Sequence, residues 1–361
     1  ITVNTGFSLQ SGTFDHGDAN VNVNGNGDFE FASDASSIDA NEGAYFKLNS
    51  TSLTPVFGGD VTIDQLGIPS DFSLDGDEQS VTVDQEILLV GAQFDANTSN
   101  ADDELRIADG AEIRRGKQSG NAGSTSPFTE VPTFEGSVSL TYEPTGSGNA
   151  SSFQSGREVP SASSDATISS ISVDPGSGED VDFQAVDTDN GIATGNVVVT
   201  DTFDLKSGTV EHGVEGQSGS RRLEIADGGV FAQKDGTISD GSGSLDESQP
   251  IVASDYTLRY YPSGDISTSS KEFLAGGAVS TLEFIDGPLD SPSGSLTLSA
   301  DREVGALTVN RSGSSSSFDL TSDGTLTVTG GSELTSGTVS SGTLQTEGDV
   351  TVDGGNIGDS A

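Results

Sequence analysis

The sequence predicts an all-β fold, an elongated parallel β-helix (β-solenoid) built from tandem imperfect repeats with almost no helix. Three observations lead there. Apolar residues alternate with polar ones in short runs, glycine and serine interrupt the chain every ~10 residues, and long stretches of the sequence recur at a fixed offset. No window of useful length places apolar residues at i, i+3, i+4 and i+7, the spacing an amphipathic helix needs.

In chain order, residues 1–100 form a β-rich region that enters on the alternating Ile1-Thr2-Val3. It carries one element, GFSLQSGTFDHG at 6–17, followed by an irregular segment. Residues 101–196 are a first repeat unit and residues 197–313 a second, because LRIADGAEI from Leu105 recurs as LEIADGGVF from Leu223, an offset of 223 − 105 = 118. The offset persists. VSLTYEPTG from Val138 aligns with YTLRYYPSG from Tyr256, which sets Leu140 on Leu258, Tyr142 on Tyr260, Pro144 on Pro262 and Gly146 on Gly264. Residues 314–361 read as a partial third unit, expected to continue past the given sequence.

Within these units the pairs Phe203/Leu205, Leu223/Ile225, Leu282/Phe284, Leu296/Leu298, Leu307/Val309 and Leu326/Val328, with the triplet Tyr256/Leu258/Tyr260, alternate with period two. Gly, Asn, Asp and Ser lie between them, so they read as strands with one apolar side. Short strands in tandem units bury that side by stacking as coils or by pairing as sandwiches. The rhythm from Leu296 onward, a strand every ~8–10 residues with small polar turns, favours coils stacked ~4.8 Å apart. At ~22 residues per coil the chain makes roughly sixteen coils on the order of 80 Å long.

A second likeness joins GFSLQSGTFDHG to TFDLKSGTVEHG at 202–213, matching Phe7/Phe203, Leu9/Leu205, Gly12/Gly208 and His16/His212, the only two histidines. ILLVGAQF at 87–94 and ELTSGTV at 333–339 are weaker copies, anchored on Gly91 and Gly337.

Composition excludes several functions. Lys+Arg 14 against Asp+Glu 57 gives a net charge of −43, which repels nucleic acid and anionic membrane. Cys 0 removes disulfides and thiolate chemistry, and Trp 0 with Tyr 5 leaves little for stacking on bases or sugars. The longest apolar cluster, Ile87-Leu88-Leu89-Val90, is far short of the ~20 residues that span a bilayer. Met 0 and a start at Ile1 read as the mature form or an internal piece of an exported protein. Aspartate is dispersed along the chain and lysine occurs only at 47, 117, 206, 234 and 271, a pattern that fits a halophilic host in which salt screens the self-repulsion.

The run of elements L-x-SGT-x-x-HG, L-x-I-A-DGA-x-I, P-x-F-x-G-x-V-x-L-x-Y (Pro132, Phe134, Gly136, Val138, Leu140, Tyr142), G-x-E-V-P (Gly156, Glu158, Val159, Pro160) and I-S-S-I-S-V resembles glycine-rich β-solenoid regions of very large proteins. Those are secreted or surface-anchored proteins of Bacteroidota and related bacteria, often exported by the type IX route. The resemblance implies an adhesin-like or structural role and no activity.

Candidate chemistry is sparse. The acidic turns Asp187-Thr188-Asp189-Asn190-Gly191, Asp75-Gly76-Asp77-Glu78 and Asn24-Gly25-Asn26-Gly27-Asp28 set oxygen ligands at alternate positions with glycine for a bend, so Asp187, Asp189, Asp75, Asp77 and Asp28 are calcium candidates. None completes the twelve-residue loop with its terminal glutamate, and solvated turns are the better reading. No other cofactor is expected. The paired histidines imply a strand-end role, and Arg114-Arg115 and Arg221-Arg222 read as surface ion pairs.

The functional expectation is a non-enzymatic extracellular protein, a surface stalk, adhesin or filament component of a halophilic bacterium. Its partners are copies of itself, the rest of a longer chain, or surface glycans. The alternative is a carbohydrate-acting β-helix, a polysaccharide lyase or hydrolase or a tailspike-like protein. Neither end carries a capping helix, which predicts an excerpt of a longer chain or a subunit completed by a neighbour.

Overall fold

The computed structural model describes residues 1–4, 6–24, 28–49, 55–68, 72–74, 80–90, 94–96, 104–116, 128, 130–144, 153–160, 166–183, 197–212, 223–240, 251–252, 254–268, 272–273, 278–287, 294–298, 300–312, 316–320 and 324–358. They form a parallel β-solenoid with no helix among them, so none is long and apolar enough to cross a membrane.

Each coil has three faces, visited in a fixed order. In the second repeat unit Val230–Gln233 lies on the first face, Thr237–Asp240 on the second and Ile251–Val252 on the third, after which Asp255–Tyr260 returns to the first. The first-face ladder is unbroken. Its outward positions pair in sequence through Thr2, Asn22, Lys47, Gly67, Leu88, Arg114, Thr141, Ser172, Asp204, Ala232, Arg259, Glu283, Thr308, Glu333 and Thr351. Fifteen rungs at ~4.8 Å make a rod about 70 Å long. The coils run from 18 residues, between Glu333 and Thr351, to 32, between Ser172 and Asp204. The smallest coil needs six residues per face, and the larger ones carry extra chain between strands.

The 118-residue duplication is four coils. Arg114, Thr141, Ser172, Asp204 and Ala232 are successive rungs, and 232 − 114 = 118. The duplicated segments are equivalent in detail. Leu105, Ile107, Leu223 and Ile225 all point inward and are buried, and Gly110 and Gly228 both take positive φ, 84° and 77°. The Gly110 amide donates to the Ser137 carbonyl and the Gly228 amide to that of Asp255, at 2.6 and 2.7 Å. The likeness of 6–17 to 202–213 is different in kind. Phe7 stands on the second face, paired with Phe29, while Phe203 stands on the first, between Ile171 and Phe231. Gly208 and Gly337 do share a corner, from first face to second, with φ of 70° and 89°.

The core is a set of inward columns. One runs Val21, Phe46, Leu66, Ile87, Ile113, Leu140, Ile171, Phe203, Phe231, Leu258, Leu282, Leu307, every member buried. The column opens at the last coil, where Val350 and Val352 are 40% and 49% exposed.

Many aspartates serve as latches between coils. Asp60, Asp109, Asp227, Asp235, Asp265, Asp286 and Asp301 each accept the backbone N–H of a residue 20 to 30 positions later, which begins or precedes the next coil's strand. An edge N–H that no ladder satisfies is satisfied by a carboxylate. Part of the chain's acidity is therefore structural. Gly305, Gly330 and Gly348 stack at the corner from third face to first. A Cβ on Gly330 would lie 2.5 Å from the Gly305 carbonyl oxygen, and one on Gly348 would lie 2.2 Å from that of Gly330.

One sequence expectation is corrected here. Arg114 is a surface residue, but Arg115 is not, because neighbours on a strand point to opposite sides. Arg115 lies inward, 5% exposed, on the same column as Tyr142. Its guanidinium pairs with Glu158 at 2.7 Å and sits over the Tyr142 and Phe153 rings. Arg311, 1% exposed, plays a similar part. It donates to the carbonyls of Ile285, Pro262 and Gly294 and lies over Phe284. Arg221-Arg222 lie outside the described residues.

Candidate functional site

Among the described residues two hollows open on the outward side of the first face, one of about 520 Å³ over Thr308, Glu333 and Thr351 in the last coils and a second farther up the rod. A cleft of about 470 Å³ opens over Ala232, within the ~300–1,000 Å³ of small-ligand sites. Ala232 is its floor because its neighbours are long: Asp204 and Arg259 stand on the adjacent rungs of the same column. The next column supplies the walls with Lys206, Lys234 and Tyr261, each following an inward residue of three consecutive rungs, Leu205, Gln233 and Tyr260. Asp174 and Asp286 close the two ends.

The carboxylates of the cleft are already engaged by the fold. Asp204 accepts the Tyr261 hydroxyl and lies 4.0 Å from the Lys206 ammonium. Burial pushes its pKa above the ordinary carboxylate value, opposed by the Tyr261 hydrogen bond and by Lys206 and Arg259. Asp174 accepts the Ser207 hydroxyl, and Asp286 accepts the Ser312 amide at 3.1 Å and approaches Arg311 at 3.8 Å. Arg259 donates to Glu283 at 2.6 Å. Lys206 and Lys234 follow paired residues of adjacent rungs, and the Lys234 amide bonds the Leu205 carbonyl at 2.9 Å. Two of the chain's five lysines, 47, 117, 206, 234 and 271, are thus stacked one coil apart.

The duplicated unit shows the same place with an occupant. Position 114 corresponds to 232, 116 to 234, 141 to 259 and 143 to 261, all by the offset of 118. There Arg114 fills the space, pairing with Glu143 at 2.7 Å and Glu86 at 3.6 Å, while Tyr45 donates to Glu86. In the second unit arginine becomes alanine, Gly116 becomes Lys234 and Glu143 becomes Tyr261. A side chain that neutralised its own carboxylates has been replaced by a hollow with cations on its wall.

Of the calcium candidates, Asp75, Asp77, Asp187 and Asp189 lie outside the described residues, and Asp28 begins the strand Asp28–Asp39 with its side chain outside them. Among the described residues no group of three or more His, Asp or Glu side chains is placed to hold a metal ion. The histidines are not a pair. His16 follows a third-face strand, buried, with Nδ1 2.7 Å from the Ala19 carbonyl, whereas His212 ends the second-face strand Thr209–His212.

No protein family, curated protein or solved structure matches the chain.

Proposed function

We propose that the chain is a non-enzymatic extracellular structural protein, a stalk, adhesin or filament component of a salt-adapted bacterium. The observation that carries this reading is the unbroken first-face ladder from Thr2 to Thr351, a rod in which each coil is tied to the next by backbone bonds and several pairs of coils also by aspartate latches. Such a rod spans distance at small cost in sequence complexity, and its surface carries most of 43 excess negative charges. The resemblance to solenoid regions of large surface proteins of Bacteroidota supports the same reading.

The carbohydrate-acting alternative is favoured by one observation, the cleft with Lys206, Lys234 and Tyr261. Two measurements decide. Protease shaving of intact source cells should release peptides of this chain, and their recovery from the cytosolic fraction alone overturns the surface role. Incubation with neutral and acidic polysaccharides should generate no new reducing ends, and steady turnover favours the alternative.

A further inference from the structure

We infer that the rod stacks head to tail on further copies of itself, the segment Ile1-Thr2-Val3 of one copy adding to the first-face strand Val350–Val352 of the next. The inference rests on the structural reading above and narrows stalk, adhesin or filament component to the last of these.

The exposed apolar residues mark the two surfaces. Among the described residues six large apolar side chains are exposed, and four of them, Ile1, Val350, Val352 and Ile357, lie in the first and last coils. They share one cause. Val350 and Val352 continue the inward columns of Ser332 and Leu334, and Ile1 and Val3 stand over Val21 and Val23, so each has a coil on one side only. Val3, Phe7, Leu9, Phe14 and Leu344 are half-buried against the same core for the same reason.

The backbone sets the register. In a parallel ladder the N–H and C=O of one residue point to one neighbouring strand, and those of the next residue point to the other. The Ile1 and Val3 carbonyls accept the Asn22 and Asn24 amides at 2.8 and 2.7 Å, so the Thr2 amide and carbonyl face away from the rod. At the other end the Ser332 amide donates to the Asp349 carbonyl and the Asp353 amide to that of Leu334, both at 2.9 Å, so the groups of Val350 and Val352 face away. Setting Thr2 of one copy against Thr351 of the next lets the Thr2 amide donate to the Val350 carbonyl and the Val352 amide to the Thr2 carbonyl. Ile1 then covers Val350 and Val3 covers Val352. The same setting brings Phe7 of the second face over Ile357, and Phe14 of the third over the strand Thr343–Thr346.

Coil size commits the contact to a second copy. The first coil, from Thr2 to Asn22, advances 20 residues and the last, from Glu333 to Thr351, advances 18, whereas coils between them reach 32. The two surfaces are therefore three-sided sections of similar size with the same face order. A head-to-tail contact that does not close into a ring gives an open fibre. Salt sets the condition, because Glu347, Asp349 and Asp353 are exposed at one surface and Asp15 and Asp18 at the other. These carboxylates keep the copies apart in dilute buffer and are screened within ~3 Å at ~1 M salt, where the apolar and backbone contacts remain.

The test is sedimentation velocity and negative-stain imaging of the full 361-residue chain at ~2 M KCl. Sedimenting mass should rise with concentration, and images should show unbranched fibres with an axial repeat of about 70 Å, the length of fifteen rungs. Two variants each block one surface. Val352→Lys sets a charge on the apolar edge, with Val350→Lys as a second block of that edge, and Thr2→Pro removes an amide that faces away from the rod. Each alone should be monomeric at an unchanged melting temperature. An equimolar mixture of Val352→Lys and Thr2→Pro should form 1:1 pairs and nothing longer, because one intact head meets one intact tail. Val131→Lys, at an exposed apolar position on the side of the rod, should leave the fibres as they are. A parent chain that is monomeric at every concentration, irregular aggregates without the axial repeat, fibres or pairs formed by either blocked variant alone, or a mixture that stays monomeric overturns the inference. These failures leave the extracellular structural role standing, since protease shaving of source cells reads it independently. Recovery of the chain from the cytosol alone overturns that role and leaves the stacking in place.

Discussion

Arg115 and Glu158 form an ion pair inside the solenoid, 2.7 Å apart, with side-chain exposures of 6% and 0%. Glu158 also accepts the Tyr142 hydroxyl and the Gly156 amide, so the turn around 156–159 is pinned to the core through one carboxylate. In the second unit both members are gone. Gln233 stands where Arg115 stands, donating to the Gly236 carbonyl at 2.6 Å, and the segment FLAGG at 273–277, which resembles FQSGR at 153–157, is followed by alanine instead of glutamate. Losing one partner of a buried pair leaves an uncompensated charge, and losing both does not. Glu158→Ala should therefore cost about 3–5 kcal/mol, and adding Arg115→Gln should restore more than half of it. Denaturant melts of both variants check this, and a single-variant cost below ~1 kcal/mol contradicts the buried pair.

The inward leucines of the two copies make a matched experiment. Leu105 and Leu223 are 2% and 0% exposed on the third face, 118 residues apart. Each sits under neighbouring coils on both sides, so Leu→Ala removes the same methyl groups and leaves the same cavity. Each variant should lose about 2–4 kcal/mol, and the two values should agree within ~1 kcal/mol. A Leu223→Ala cost under ~0.5 kcal/mol would show that side open to water.

How much of this was legible in the sequence differs from feature to feature. Period two was enough for strand positions, and the pairs from Phe203/Leu205 to Leu326/Val328 are all buried. The 118-residue offset implied one duplicated unit, and the ladder shows that unit to be four coils. Three-faced coils of unequal length were not legible, because a corner is set by where a glycine or aspartate lets the backbone bend, not by apolar rhythm. For the same reason the SGT likeness joined Phe7 to Phe203 although they lie on different faces. Arg115 was readable and missed, since it stands two residues after Ile113 and must share its side. The cleft left its signal in the alignment too, as Arg114 opposite Ala232.

The glycine stack at 305, 330 and 348 should tolerate no side chain. Gly330→Ala sets a Cβ 2.5 Å from a backbone oxygen one coil away, where no flexible group can give. The last coils would have to separate locally. Amide exchange should rise for Thr325–Val328 and Ser332–Ser336 and stay unchanged for Val138–Tyr142, several coils distant. Unaltered protection in the C-terminal strands would refute the close approach.

Stability should peak in mildly acid buffer. Burial raises the pKa of Asp64, Glu86, Asp204 and Glu211, the last also through Asp180 and Asp182. For a raised carboxyl the stabilising contribution is full below the unfolded pKa of ~4 and is lost as pH rises through the folded value, so lowering the pH from 7 toward that range adds stability. Asp60 runs the other way. The Ser80 amide and hydroxyl hold its pKa below the ordinary value, so its contribution is present above ~4 and disappears as pH falls through the depressed value. Denaturant midpoints measured from neutral to acid pH at fixed high salt should rise and then fall. A steady decline from neutrality sinks the argument, and Asp60→Asn should flatten only the acid limb.

Salt should stabilise the chain strongly and without ion specificity. The rod carries 57 acidic against 14 basic residues, and its parallel ladders put carboxylates of successive coils within one strand spacing, as for Asp182 and Glu211. At ~0.05 M salt the screening length exceeds ~10 Å, so each carboxylate feels several coils, while at ~2 M it falls below ~3 Å and only contact pairs matter. The latches respond less, because each is a direct bond from a carboxylate to an amide, 2.7 Å from Asp109 to Ser137 and likewise from Asp301 to Thr325. Melting temperature should therefore climb between ~0.05 M and ~2 M KCl, with NaCl matching KCl. Coincident melts at the two concentrations would remove the charge argument and with it the case for a salt-adapted host. A rise produced in full by millimolar calcium at low salt would assign the stabilisation to bound metal, and the acidic turns bearing Asp75, Asp77, Asp187 and Asp189 would be its ligands.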